Sequence, residues 1–458
     1  MTFRVRQAQQ DKLAREHVGR FLEADLAAAF GEAVFTSETG EIAYGPTTRR
    51  GRMSLDAEGR IIRSVTPLQR ATHFDFAEGR LAQLRTPAAG AIRFGYDQAG
   101  FPATAQRHDG VTERFSFSPD GDLLNYQCGD GSRQRFDYNQ QRKLTRIVER
   151  TGAERRWEYD DHGRLTHIVD PLGHATSFEY TSWDLPSRIS HAGGVVEDFS
   201  YAGETTERRI GGSPHSKIQY DSKARVTRTE YADGILARFS YDAQDRLVEG
   251  ALDDVAARFV YDDAGRLSVS QVAGHAVSIE YLNGGVSRIV LPDGRAVSYE
   301  YDADGRLSAA IDWQGNRQSF SYTASERPLA RYLPNGLLER STYDSVDRLR
   351  FVELGSRDTR VWLDSFEYDS LDRVVSRENN RDGQRHYTYD EGGQLVLVRD
   401  AAGTALESFS YDASGNRSFA SGQFASYDAG DRAISAGETE YDFDDRGNRI
   451  RARNAAGT

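Results

Sequence analysis

The chain is poor in the residues that build disulfide frameworks and membrane spans. Cys128 is the one cysteine among 458 residues, so an intrachain disulfide framework is excluded. No run of about 18 apolar residues occurs, so no segment is predicted to cross a membrane as a helix. The N-terminal residues lack the apolar core of a secretory signal peptide, so export would need a dedicated secretion machine.

Basic residues are also fewer than acidic residues. The 58 Lys and Arg residues are outnumbered by 70 Asp and Glu residues, and the formal net charge is -12. Because nucleic acids bind positively charged surfaces, this composition argues against a nucleic-acid partner. Apolar residues make up only 38% of the chain, a share that suits strands with one wet face.

One motif is abundant: an aromatic residue followed by Asp-x-x-Gly-Arg-Leu. Its clearest copies begin at Tyr241, Tyr261 and Tyr301, and Leu55 is expected to open the series. The motif returns about every 21 residues, a period typical of repeat architectures. The aligned aromatic positions are Phe76, Tyr96, Phe117, Tyr138, Tyr159, Tyr180, Tyr201, Tyr220, Tyr241, Tyr261, Tyr281, Tyr301, Tyr322, Tyr343, Tyr368, Tyr389 and Tyr411.

Each copy predicts the end of a β-strand, a tight turn and the start of the next strand. Phe239 and Tyr241 are two positions apart, so both rings share one face of the strand. Asp at the first turn position accepts a backbone hydrogen bond, and Gly adopts the positive φ that re-enters the ladder. The residues assigned to this structural motif are Tyr241, Asp242, Tyr261, Asp262, Gly265, Arg266, Tyr301, Asp302, Gly305, Arg306, Tyr411, Asp412 and Gly415.

Several copies have another residue in place of the glycine. Asp occupies this position at Asp245, Asp347 and Asp372, and it tolerates positive φ better than most residues. Arg142 and Ala224 are poorer substitutes. Their hairpins are therefore expected to use another turn.

One repeat comprises two antiparallel strands and two turns, so the chain is predicted to be all-β. Roughly 34 strands at about 4.8 Å each give a sheet on the order of 160 Å wide. Such a sheet curls because strand twist accumulates across it. The expected fold is a β-hairpin meander coiled into a spiral sheet or partial shell, with a short helix at the N-terminus.

Residues 1–34 differ from the repeats. Apolar side chains recur at helical spacing from about Asp11, and Gly31 is placed as a C-terminal stop. The segment predicts one amphipathic helix. Such a helix would cap or plug the end of the sheet, or dock another protein.

The remainder of the chain divides into three segments. Residues 35–70 are interpreted as degenerate repeats and residues 71–412 as the regular array. In residues 413–458 the period breaks, with Tyr427-Asp428 and Tyr441-Asp442 as the next copies. An unfinished hairpin leaves an exposed sheet edge, so we expect the array to be truncated or its edge to be covered by another element.

The sequence carries no recognisable catalytic, metal-binding or cofactor-binding pattern. His162, His167 and His174 fall on a turn, a strand and a turn, in a spacing that matches no metal site. The carboxylates recur in every repeat, which indicates turn formers rather than a glycosidase pair. We therefore expect no enzyme activity and no cofactor.

The Tyr-Asp-x-x-Gly-Arg-Leu repeat resembles the YD repeat of the RHS family, which includes bacterial Rhs polymorphic toxins, the B and C components of insecticidal Tc toxins, and teneurins. The resemblance covers roughly residues 50 to 450. It implies a spiral β-shell whose hollow interior keeps a toxin until delivery. Rhs cores end in a segment containing Asp-Pro-x-Gly-Leu, whereas the only Asp-Pro here is Asp170-Pro171 in mid-array. No self-cleavage activity is therefore assigned to this sequence.

The expected function is a non-enzymatic scaffold, part of a container that encapsulates or carries a secreted toxin polypeptide in bacterial competition. The expected partners are a C-terminal toxin domain or cargo polypeptide outside this chain, and proteins of a secretion apparatus. The chain would stay in the cytoplasm until a dedicated machine exports it, or be secreted. The alternative is a cell-surface adhesion or carbohydrate-binding module in which Trp313 or Trp362 stacks on sugars.

Overall fold

The computed structural model describes residues 34–36, 41–44, 51–66, 68–86 and 90–454. These residues form 42 β-strands, numbered β1 to β42 in chain order, and contain no helix. The helix predicted near the N-terminus lies outside the described residues.

The strands are short and follow one another at close intervals. The first half comprises β1 (Val34–Thr36), β2 (Glu41–Tyr44), β3 (Gly51–Leu55), β4 (Ile61–Val65), β5 (Ala71–Ala77), β6 (Arg80–Arg85), β7 (Ala91–Tyr96), β8 (Pro102–Arg107), β9 (Thr112–Phe117), β10 (Leu123–Gln127), β11 (Arg133–Tyr138), β12 (Leu144–Val148), β13 (Glu154–Tyr159), β14 (Leu165–Val169), β15 (Ala175–Tyr180), β16 (Pro186–Ser190), β17 (Val196–Ala202), β18 (Thr205–Ile210), β19 (Ser213–Tyr220), β20 (Val226–Tyr231) and β21 (Leu236–Tyr241). The second half comprises β22 (Leu247–Leu252), β23 (Val255–Tyr261), β24 (Leu267–Val272), β25 (His275–Leu282), β26 (Gly285–Val290), β27 (Ala296–Tyr301), β28 (Leu307–Ile311), β29 (Arg317–Tyr322), β30 (Pro328–Tyr332), β31 (Leu338–Tyr343), β32 (Leu349–Gly355), β33 (Arg360–Tyr368), β34 (Val374–Asn379), β35 (Gly383–Tyr389), β36 (Leu395–Asp400), β37 (Ala405–Tyr411), β38 (Arg417–Ala420), β39 (Gln423–Tyr427), β40 (Ala433–Ala436), β41 (Thr439–Phe443) and β42 (Arg449–Asn454).

All strands pair antiparallel with their neighbours in chain order, which makes one continuous meander. The first pair joins β1 to β2 and the last joins β41 to β42, and among the described residues no ladder joins β42 back to β1. The prediction of an all-β meander of hairpins is therefore confirmed. The sheet has more strands than expected because residues 34–65 and the short terminal repeats also form hairpins.

A β-bulge precedes most ring positions. The register shifts between Ser240 and Tyr241, so Tyr241 lies opposite Leu247. The same shift falls between Ser54 and Leu55, which places Leu55 at a ring position as the first copy of the motif. Because a bulge bends its strand and increases the local twist, bulges repeated along one edge favour coiling of the whole sheet.

The turns of the meander lie along two rims. We call the turns that follow a ring residue YD turns, and the turns that join one hairpin to the next linking turns. Turns alternate between the two ends of the strands in an antiparallel meander, so the YD turns lie along one rim and the linking turns along the other.

Contacts between distant turns show that the sheet coils back on itself. The Leu68 backbone N–H donates to Asp304 Oδ1 at 2.8 Å, and Arg432 Nη2 donates to the Gly193 carbonyl at 2.9 Å. These partners are 236 and 239 positions apart, and each contact joins a linking turn to a YD turn. We call this line of contacts the seam. It comprises Leu68–Asp304, Arg70–Asp304, Arg107–Asp372, Arg150–Gly392, Asp170–Ser414, Gly193–Arg432 and Gly211–Asp445.

The seam defines the size of one coil. The linking turn after β4 meets the YD turn after β27, and the linking turn after β18 meets the YD turn after β41. One coil therefore comprises 23 strands, and the long Arg107 side chain reaches a YD turn two strands further on, after β33. At about 4.8 Å per strand, its circumference is on the order of 110 Å and its diameter on the order of 35 Å.

The coil surrounds space that the described residues leave unfilled. Apart from one marginal pair, contacts between strands involve only consecutive strands. No large side chain of the described part is fully buried, although a packed domain of this size would bury many. The buried apolar residues are Val65, Cys128, Ile210, Ala237, Ala309, Val352 and Val398.

The structure corrects the sequence interpretation of the last repeat. The register shift falls between Asp442 and Phe443, and Asp444 leads the turn. The ring position is therefore Phe443 rather than Tyr441. The last two ring positions follow Tyr411 at steps of 16 residues each, so these repeats are shorter but regular.

The structure also contradicts the expectation of different turns at Arg142 and Ala224. Their φ angles are 60° and 59°, and their backbone N–H groups donate to the carbonyls of Asn139 and Asp221 at 2.9 Å. These are the same turns as in the glycine copies. The Arg142 side chain bonds the Asp122 carboxylate at 2.7 Å, which offsets part of the backbone strain.

The closest approach in the seam predicts a selective effect of Gly193→Ala. A Cβ at Gly193 would lie 3.0 Å from Gly430 Cα, backbone that cannot move aside cheaply. We expect the substitution to cost about 1–3 kcal/mol and to speed amide exchange in the turns on both sides of the seam. Hydrogen exchange with mass spectrometry and urea denaturation measure both effects.

Gly250→Ala is the matched control, because its Cβ would meet Phe239 at 3.6 Å, an ordinary contact. The control should keep or slightly raise stability. Equal effects of the two substitutions would contradict the seam.

Candidate functional site: the Asp-Arg-Tyr relay and the seam

The aspartate of each YD turn holds both the turn and the arginine that follows. Asp302 Oδ1 accepts hydrogen bonds from the backbone N–H groups of Asp304 at 2.9 Å and Arg306 at 3.0 Å. Asp302 Oδ2 accepts from Arg306 Nε at 2.8 Å. One carboxylate therefore fixes the turn and orients a guanidinium. Equivalent ion pairs are Asp56–Arg60, Asp160–Arg164, Asp221–Arg225, Asp242–Arg246, Asp262–Arg266, Asp344–Arg348, Asp369–Arg373 and Asp428–Arg432.

The same arginine contacts the ring of the next repeat. The Arg306 guanidinium lies 4.5 Å from the centre of the Tyr322 ring, a cation–π distance. The Tyr322 hydroxyl in turn donates to the Leu307 carbonyl at 2.8 Å. We call this chain of contacts the relay. Equivalent arginine–ring pairs are Arg60–Phe76, Arg80–Tyr96, Arg164–Tyr180, Arg225–Tyr241, Arg246–Tyr261, Arg266–Tyr281, Arg348–Tyr368, Arg373–Tyr389 and Arg432–Phe443.

The tyrosines assigned to the motif from the sequence each donate a hydrogen bond to the preceding repeat. Their rings are half-buried rather than enclosed in a core. The sequence pattern predicted that these rings share one face, but it did not predict the arginines that cover the rings of Tyr241 and Tyr261. The bonds are Tyr241 to Val226 O at 2.9 Å, Tyr261 to Leu247 O at 2.8 Å, Tyr301 to Val286 O at 2.8 Å and Tyr411 to Leu395 O at 2.9 Å.

The motif glycines adopt the backbone that the turn requires. The φ angles of Gly265, Gly305 and Gly415 are 80°, 82° and 94°, and each N–H donates to the carbonyl of the turn aspartate. Asp412 keeps its role, accepting from the Asn416 backbone N–H at 2.9 Å. Asn416 replaces the arginine, so this late repeat has an amide where the others have a guanidinium.

The face of the sheet opposite the rings carries ion pairs of both signs. Glu300 receives two hydrogen bonds from the Arg317 guanidinium, at 2.6 and 2.7 Å. Arg258 Nε donates a single hydrogen bond to Glu249 Oε2 at 2.9 Å on the same face. This face is therefore solvated and charged, as the composition predicts for strands with one wet side.

The relay lowers the pKa of the turn carboxylates. Hydrogen bonds from the Arg225 side chain and backbone lower the pKa of Asp221 from its ordinary value of 3.8 to about 2. Hydrogen bonds from Arg266 lower the pKa of Asp262 in the same direction. The carboxylates are therefore ionised in the folded protein well below neutral pH.

The histidines and tryptophans considered as candidates in the sequence lie in different parts of the sheet. His174 Nδ1 lies 3.0 Å from Asp170 Oδ2 as part of a linking turn. Exposed Trp183 and Trp313 lie on opposite rims, whereas Trp362 is half-buried in β33. In the described ranges, no three His, Cys, Asp or Glu residues are grouped to hold a metal ion, and no helix could span a bilayer.

The relay predicts an asymmetry between two arginines of neighbouring strands. Arg266→Ala removes the ion pair to Asp262 and the contact with the Tyr281 ring, 4.2 Å away. We expect a loss of about 1–2 kcal/mol, measured as a lower urea midpoint. Arg258→Ala removes only an exposed pair and should change stability by less than about 0.5 kcal/mol. Equal losses would show that the relay adds nothing.

The lowered pKa of Asp221 predicts that the folded protein loses stability in acid. Its folded pKa of about 2 lies below the ordinary 3.8, so its contribution to stability is present above about pH 4 and is lost as pH falls towards 2. The thermal midpoint of the wild type should drop steeply over that window. The Asp221→Asn variant should start lower and drop less. Parallel curves for the two proteins would contradict the assignment.

A family model described as Teneurin YD-shell matches residues 77–234, 213–341 and 334–456. Toxin protein Tse5 of Pseudomonas aeruginosa is 36% identical over 99 residues, which are 22% of this chain and 7% of that protein.

Solved structures of Tc toxins share the fold. The Tc holotoxin pore of Photorhabdus luminescens superposes with a TM-score of 0.54 at 12% identity, over 89% of this chain and 26% of that chain. The TcdB2-TccC3 structure gives a TM-score of 0.51 at 13% identity, over 90% of this chain and 29% of that chain. This chain thus spans less than a third of the length of these relatives. Because the family-model matches run from residue 77 to residue 456, the chain belongs to the teneurin YD-shell family of RHS/YD-repeat proteins.

Proposed function

We propose that this chain is a non-catalytic wall segment of a β-shell that encapsulates or carries a toxin polypeptide. The observation that carries the proposal is the seam. The sheet returns to itself after 23 strands and touches itself only at its rims, so the described residues enclose a space without filling it. A wall with a solvated ion-paired face and half-buried rings needs no second layer to be stable.

The dimensions of the coil restrict what it could hold. A diameter on the order of 35 Å, less about 5 Å of side chains at each wall, leaves a lumen about 25 Å wide. A folded domain of about 100 residues has a radius of gyration near 13 Å and is about 34 Å across. We infer that a cargo in this coil would be unfolded or partly folded.

The relatives support a toxin as the class of cargo. Tse5 is named a toxin protein, and the Tc structures are of a holotoxin pore and of TcdB2-TccC3. Because this chain spans about a quarter of the holotoxin chain, we propose it as one part of such a container. We also propose that the container is exported by a dedicated secretion apparatus.

Protease protection tests encapsulation directly. The probe is an unfolded, fluorescently labelled polypeptide of about 60 residues fused after Thr458. We expect its cleavage by a broad-specificity protease to be at least about tenfold slower than cleavage of the same polypeptide alone, because a narrow lumen excludes the protease. The assay follows release of the label over time.

Gly193→Ala serves as the matched variant, because it strains the seam without touching the fused probe. Its probe should be cleaved faster than that of the wild-type fusion, while Gly250→Ala should protect like the wild type. A fused probe that is cleaved as fast as the free polypeptide would overturn the proposal.

A further inference from the structure

The two rims are only partly covered by the seam. Linking turns after β4, β8, β10, β12, β14, β16 and β18 contact YD turns of the next coil, whereas the linking turns from β20 onward have no coil above them among the described residues. We call the latter set the free linking rim. Exposed apolar residues lie at eight of its eleven turns: Tyr231, Leu252, Val255, Val272, Trp313, Tyr332, Val361, Leu406 and Phe424.

Residues at equivalent positions show how a covering coil changes the exposure of apolar side chains on this rim. Ile210, Leu252 and Val272 each end a strand before a two-residue linking turn. Ile210 lies in the seam and is 7% exposed. Leu252 and Val272 lie on the free linking rim and are 53% and 46% exposed. The same residue position is thus buried under a coil and exposed without one.

A second pair of positions repeats the contrast. Val65 and Tyr332 each end a strand before a four-residue linking turn. Val65 stands beside the seam contact to Asp304 and is 3% exposed, whereas Tyr332 is 53% exposed. At Ile210 and Val65 the apolar side chain is buried where a YD rim lies against it, whereas Leu68 and Leu172 in other linking turns of the seam remain 43% exposed.

The chain also carries a free surface that complements this rim. The YD turns of the first coil, which precede the turn at Asp302, have no linking turn docked on them among the described residues. Glu58 and Asp120 occupy the turn position that Asp304 has in the seam. Their carboxylates stand at the turn position from which the Asp304 carboxylate accepts the hydrogen bond of the Leu68 N–H.

We propose that the free linking rim docks the YD rim of a second copy of this chain, head to tail, in a continuation of the seam. The contact would be on the order of 110 Å long and 10 Å wide, or about 1,100 Å² per copy, more than the roughly 800 Å² of a standard interface. Because the two docking rims differ, the association is heterologous and adds copies without closing. The mixed charge of the rims and their apolar positions match the chemistry already present in the seam.

Sedimentation velocity of the 458-residue chain tests this. From micromolar to hundreds of micromolar protein, the weight-average mass of the wild type should rise by about twofold or more, as copies add one at a time. The double variant Leu252→Asp, Val272→Asp should stay a monomer. Val260→Asp is the matched control: Val260 is also 53% exposed, but it lies at the end of β23 opposite to the free linking rim, so this variant should associate like the wild type.

Mixing separates head-to-tail docking from other self-association. The double variant keeps an intact YD rim, so it should cap wild-type oligomers and lower their mean mass as its share increases. Far-UV circular dichroism and the thermal midpoint check that each variant is folded. A wild type that remains monomeric at all concentrations, or a folded double variant that associates like the wild type, would overturn the proposal.

Discussion

Each relay arginine belongs to two repeats at once, and the wall depends on this bridge. The guanidinium of Arg266 is held by the turn carboxylate of its own repeat and covers the ring of Tyr281 in the next. A sheet with no second layer cannot gain stability from a packed core. Contacts between neighbouring repeats must therefore supply the stabilising free energy that a buried core supplies in other proteins. Because the same contact recurs from repeat to repeat, the stability of the sheet is approximately a sum over neighbouring pairs of repeats.

The same bridge explains how a wall can remain uncovered on both faces. Half-buried rings lie under guanidinium groups on one face, and ion pairs such as Glu300–Arg317 cover the other. Neither face needs another sheet against it. Bulges before the ring positions add twist at every hairpin, and after 23 strands the rims meet. Enclosed space is thus a consequence of repeat chemistry rather than of a separate folding unit.

The hairpins and their turns could be predicted from local sequence chemistry, whereas the last ring position and the seam could not. The Asp-x-x-Gly turn and the ring spacing predict the hairpins, including Leu55 as the first copy. Tyr441-Asp442 imitates the motif, but the turn residues after Asp444 decide the register, so the ring is Phe443. The seam could not be predicted from the sequence, because which linking turn meets which YD turn depends on strand twist accumulated over many strands. The N-terminal helix lies outside the described residues and stays a prediction.

Coiling of the sheet around unfilled space can be tested by a single distance. Nitroxide labels at Trp183→Cys and Ala303→Cys, in a Cys128→Ser background, sit on exposed YD turns after β15 and β27, about half a coil apart. A hollow coil predicts a pulsed EPR distance of about 35–40 Å at a dilution where the chain is monomeric. A separation near 20 Å would indicate collapsed, stacked sheets, and one near 58 Å an uncoiled ribbon, and either would contradict the account.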